Sequence, residues 1–97
     1  MPNQHLEVIQ TNTRKQLIVV ADSQGNHTVL EMIDNHIPYK GSAVIVDTSL
    51  ITDGATLNIM TQQIGRPATA TVIKTGLSQR QALAMLGQGI TIHQWLE

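Results

Sequence analysis

Three side chains offer the most legible chemistry in this chain: Asp22, Asp47 and Lys74. Each follows a short apolar run (residues 17–21, 43–46 and 69–73), so each closes an expected strand. Were those strands parallel, their C-terminal ends would meet on one sheet edge, where α/β folds build sites. Two carboxylates there could hold Mg²⁺ with help from water, and Lys74 would offset an incoming phosphate. Turn chemistry explains the same residues more simply, because an aspartate that ends a strand accepts backbone N–H bonds from the residues after it. The histidines His5, His27, His36 and His93 carry no metal signal. No two stand three or four residues apart, the spacing that puts two imidazoles on one helix face.

The spacing of Asp22, Asp47 and Lys74 resembles the phospho-acceptor layout of response-regulator receiver domains. That resemblance implies a regulatory domain with phosphate on Asp47 and Asp22 on the metal. The sequence departs from the family at Ser23, where receivers carry a second acidic residue. The spacing of 25 positions from Asp22 to Asp47 also leaves little room for the strand–helix unit receivers place there. Residues 77–91 are similar to the opening of helix-turn-helix segments: a capped helix, a glycine turn at Gly87-Gln88-Gly89, then a second short element. That likeness implies a transcriptional regulator. Residues 91–97 hold no Arg or Lys for phosphates and offer only His93 and Gln94 to base edges.

The elements that must position these residues are strands. Apolar, β-branched runs at residues 6–9, 17–21, 29–33, 43–46, 57–60 and 69–73 are separated by turn signals such as Gln24-Gly25-Asn26 and Asp53-Gly54. Such a rhythm predicts a small barrel or sandwich. Leu17-Ile18-Val19-Val20 is apolar on both faces, as in a strand covered on both sides. Ala55, Leu57 and Ile59 alternate with Thr56, Asn58 and Met60, the period of a half-buried strand. One helix is expected near residues 78–86, with Ser78 and Gln81 as a capping box and Leu77 against Ala82 as a staple. Ala82, Leu83, Met85 and Leu86 form its apolar stripe, and Gly87 ends it. Residues 90–96 fit a last strand or a short helix, with Trp95 closing the core.

The expected fold is therefore mainly β with one C-terminal helix. It is a five- to six-stranded, mostly antiparallel barrel or strongly twisted sheet, one domain over residues 1–97. A strand-rich body spans 1–74, and the helix and tail span 75–97. The alternative is a compact α/β three-layer sandwich with residues 29–36 and 53–63 helical.

Composition narrows the function classes. Charged residues are 13% and the formal charge is −1, with the six cations scattered, so the basic stripe of a nucleic-acid binder is missing. Aromatic residues are 2%, too few for a base-stacking platform, and methionines must fill core space instead. The longest apolar run falls far short of the roughly 20 residues of a spanning helix. The N-terminus lacks the charged start and apolar stretch of a signal peptide, and there is no cysteine. A cytoplasmic location is the expectation, with no membrane partner. No Gly-x-Ser-x-Gly elbow, phosphate-binding loop or dinucleotide fingerprint is present. No catalytic residue, cofactor or metal is expected. The leading reading is a non-enzymatic binding or assembly module that engages a protein, itself as a homodimer or another chain. Ile9, Ile18, Ile45 and Met60 are its candidate contact residues.

Overall fold

A computed structural model of the chain describes residues 3–34, 37–61 and 67–87. Six strands alternate in direction: β1 (Asn3–Asn12), β2 (Leu17–Ala21), β3 (His27–Met32), β4 (Ala43–Asp47), β5 (Thr56–Thr61) and β6 (Pro67–Leu77). Among the described residues one α-helix, α1 (Gln79–Leu86), follows. All pairings are antiparallel and the sheet closes on itself in the order β1-β2-β3-β6-β5-β4. The architecture is two three-strand meanders, β1–β3 and β4–β6, joined edge to edge by β1 on β4 and β3 on β6.

Residues 29–32 and 56–61 thus lie in strands, which replaces the three-layer alternative with the barrel. The period-2 pattern decided it. Leu57 and Ile59 are buried while Thr56, Asn58 and Met60 face outward, and a helix could not sort the same residues that way. The strand-rich body also runs past residue 74. Lys74-Thr75-Gly76 has no apolar run to mark it as strand, yet β6 continues to Leu77, bending at irregularities in its register with β3.

The barrel interior is filled by inward residues from every strand, including Leu6, Ile18, Leu30, Val44, Leu57 and Val72. Removing one such side chain from water is worth about 1.5–3 kcal/mol. Met32 is fully buried among them, as the shortage of aromatics requires. Met60 is instead 39% exposed and fills nothing.

A second apolar cluster lies outside the barrel wall, where Val19 and its register partner Val29 pack under Leu77, Ala82 and Leu86. The double-sided run 17–20 is explained by this arrangement: Ile18 and Val20 point in, and Val19 points out beneath α1. The helix starts as its sequence dictates. Ser78 Oγ accepts from the Gln81 backbone N–H at 3.2 Å, and the Ser78 N–H donates to Gln81 Oε1 at 3.1 Å. Gly87 ends it in the left-handed region at φ 80°, a conformation glycine adopts without a Cβ penalty. The buried helix face is Ala82, Ala84 and Leu86, with Leu83 and Met85 only half-buried, a rotation from the expected stripe. The Asn12 side-chain amide donates to the Leu86 carbonyl at 2.7 Å and ties the β1–β2 turn to the helix end. The expectations for His36, His93, residues 90–96 and Trp95 lie outside the described residues.

Candidate functional site

Strand alternation sets Asp22, which follows β2, and Asp47, which ends β4, toward one mouth of the barrel without a parallel sheet, while Lys74 lies three residues short of the end of β6. β2, β4 and β6 all run the same way, so their C-terminal ends ring one mouth of the barrel. The side chains nevertheless serve separate local structures. Asp22 Oδ1 accepts the N–H of Gln24 at 2.8 Å and of Asn26 at 3.0 Å, closing its own turn. Burial pushes its carboxyl up. The Asn26 and Gln24 N–H groups, the Asn26 amide and nearby His27 outweigh that, and the carboxyl is held below the usual range. Asp47 Oδ1 caps the short 3-10 turn Thr48–Leu50, accepting from the Ser49 N–H at 3.0 Å and its hydroxyl at 2.6 Å. Lys74 Nζ donates to Asp53 Oδ2 at 3.1 Å.

Asp53 is the charged residue that the sequence pattern passed over. Its other oxygen accepts the Thr75 N–H at 3.0 Å, so one carboxylate pins the β4–β5 crossover to β6. The hydrogen bond from Lys74, then that from Thr75, holds its carboxyl below the usual range. The ion pair is about half exposed, and such pairs contribute little to stability.

A cleft of about 240 Å³ opens at this mouth, floored by Leu6, Val20 and Ile51 and rimmed by Asp22, Asn26, Thr28, Thr48 and Thr75. The Thr28 and Thr75 hydroxyls bond each other at 2.7 Å across its wall. Among the described residues, no group of three or more His, Asp or Glu side chains stands close enough to hold a metal. His5 is exposed. His27 opens β3 and is buried there, its Nδ1 3.0 Å from the Gly25 carbonyl.

The outer wall carries the second candidate. Of the four apolar contact residues expected from sequence, Ile18 is fully buried and Ile9 packs against the helix cluster, so neither is available. A bulge between Val8 and Gln10 and the arrival of α1 account for Ile9. Ile45 and Met60 remain, and they are register partners across β4 and β5. Met60 in turn pairs with Pro67 of β6, and Ile45 with His5 of β1. The result is one row, His5–Ile45–Met60–Pro67, crossing four adjacent strands. Ile33, 54% exposed, extends it at the end of β3, where its N–H donates to Thr69 one pleat from Pro67.

Beside this row the barrel wall is thin. The other five strand pairs each have five register positions, whereas β4 and β5 pair only at Val44↔Thr61 and Ile45↔Met60 among the described residues. A groove of about 420 Å³ lies where they stop pairing, lined by Ile45, Val46, Asp47, Asn58, Ile59, Met60 and Pro67. Its size falls in the roughly 300–1,000 Å³ range of ligand-binding clefts. Nothing in the sequence signalled it, because the alternation in β4 and β5 continues past the last pair. Compared with known proteins, the chain matches no family model, no curated protein and no solved structure.

Proposed function

We propose that this protein is a non-enzymatic binding module that seats a protein partner on the outer face of β4, β5 and the start of β6. The observation that carries the reading is the register row Ile45–Met60–Pro67 beside the shortened β4–β5 ladder. Outward positions of a barrel strand are ordinarily polar, as Thr56 and Asn58 are on the same strand. Aligned apolar side chains on three neighbouring strands form a patch, and patches rimmed by polar residues mark interaction surfaces. A flexible thioether such as Met60 suits a surface that adapts to its partner. The carboxylates at the barrel mouth, by contrast, already accept bonds from their own turns.

Selection of binders from a displayed library of small folded domains tests the reading. Binders recovered on the wild-type protein are expected to lose at least about tenfold in affinity for Met60→Lys and Ile45→Lys. Thermal melts should show both variants still folded. Binders that hold both variants as tightly as wild type would seat the interaction elsewhere and overturn the proposal.

A further inference from the structure

We infer that the partner's contacting part is an extended peptide segment docked as an added strand in the β4–β5 groove, its basic residue beside Asp47. This rests on the docking face proposed above and specifies what occupies it.

Backbone direction is the first argument. In an antiparallel ladder, alternate residues turn their N–H and C=O to one neighbour or the other. Ser42, just before β4, accepts from the Val8 N–H of β1, so the even positions of β4 serve β1 and the odd positions, Ile45 and Asp47, face β5. Ala55, just before β5, accepts from the Val72 N–H of β6, so the even positions of β5, Asn58 and Met60, face β4. Ile45 and Met60 do pair. The next exchanging pair along the ladder is Asp47 with Asn58, and they do not. Their main-chain donors and acceptors therefore border the groove. Strand addition uses main-chain groups of this kind for affinity and alternate side chains for specificity.

Side-chain chemistry sets the rest. The groove wall is Ile45, Met60 and Pro67, which favours apolar residues at alternate positions of the incoming segment. Asp47 is the one charged side chain among the lining residues. Both bonds to its carboxylate fall on Oδ1, which leaves Oδ2 for a cation. A second copy of this chain fits less well, because its own described strands are already paired on both sides except along the same seam.

Fluorescence anisotropy with a library of short labelled peptides tests this. Each alternates apolar and polar residues and carries one lysine, and each has two counterparts: glutamate for the lysine, and alternate backbone amides N-methylated. The lysine peptides are expected to bind about fivefold tighter than their glutamate counterparts, and Asp47→Asn should erase that preference. N-methylation should abolish binding, since it removes donors and leaves side chains intact, and Met60→Lys should abolish binding of every peptide. Equal binding of methylated and unmethylated peptides overturns strand addition. Equal binding of lysine and glutamate forms overturns the role of Asp47. Absence of peptide binding overturns the extended partner. If selected folded domains then still depend on Met60, the docking face itself survives. Insensitivity of both assays to Met60→Lys removes the face as well.

Discussion

Asp53 joins two segments through two oxygens, and its effect on stability must follow pH. Its carboxyl and that of Asp22 are both held below the usual carboxylate range. A carboxyl with a lowered folded-state pKa stabilises the fold above its unfolded pKa, roughly 4, and loses that contribution as pH falls through the folded value. Urea midpoints should therefore stay level from neutral pH to about 5 and decline below it. Asp53→Asn and Asp22→Asn should each flatten that acid limb, and neutral-pH stability should fall by the same amount that the limb loses. A limb as steep as wild type in both variants would assign the acid loss to other groups. At this scale the sequence was half legible. Asp22 could be read as a turn residue because its acceptors' partners lie within four positions. The Lys74–Asp53 pair spans 21 positions, and no local pattern encodes a meeting brought about by barrel closure.

The helix is the element whose sequence and structure agree most closely. Capping chemistry is local: Ser78, Gln81 and Gly87 act within a turn of themselves, so residue type and spacing suffice to find the ends. Ser78→Ala should cost about 1 kcal/mol in denaturant melts. Asn12→Ala should weaken the opposite, C-terminal end of the helix from outside by freeing the Leu86 carbonyl. The strands were legible where one face is buried and the other wet, as in β5. They were not legible at β6, where Lys74-Thr75-Gly76 stays in the sheet through its pairing with β3. The length of the β4–β5 ladder also lay beyond reach, since a strand's own residues do not state how far its neighbour accompanies it. That short ladder should be a weak point in the wall. The Asp47 and Asn58 amides should exchange with deuterium ahead of the Leu57 and Ile59 amides, which bond into β6. The reverse order would mean that the wall is continuous there.

Across the whole molecule, closure depends on one interior packed from all six strands. Leu30→Ala, which empties a fully enclosed position, should cost about 2–5 kcal/mol. Met60→Lys, on the outer wall, should stay within about 0.5 kcal/mol of wild type. Similar losses in the two variants, read by chemical denaturation, would contradict this division of inside from outside. The barrel could be anticipated because alternation and turns recur from residue 6 to residue 73. The order of its strands could not, since joining β1 to β4 and β3 to β6 leaves no periodic mark. The apolar cluster on the outer side of β2 and β3 makes the body and the last helix inseparable. Cut the chain after residue 77, and every strand keeps its hydrogen bonds while Val19 and Val29 are laid bare to water. The shortened protein would be barrel-shaped and insoluble, a shell that precipitates for want of its lid.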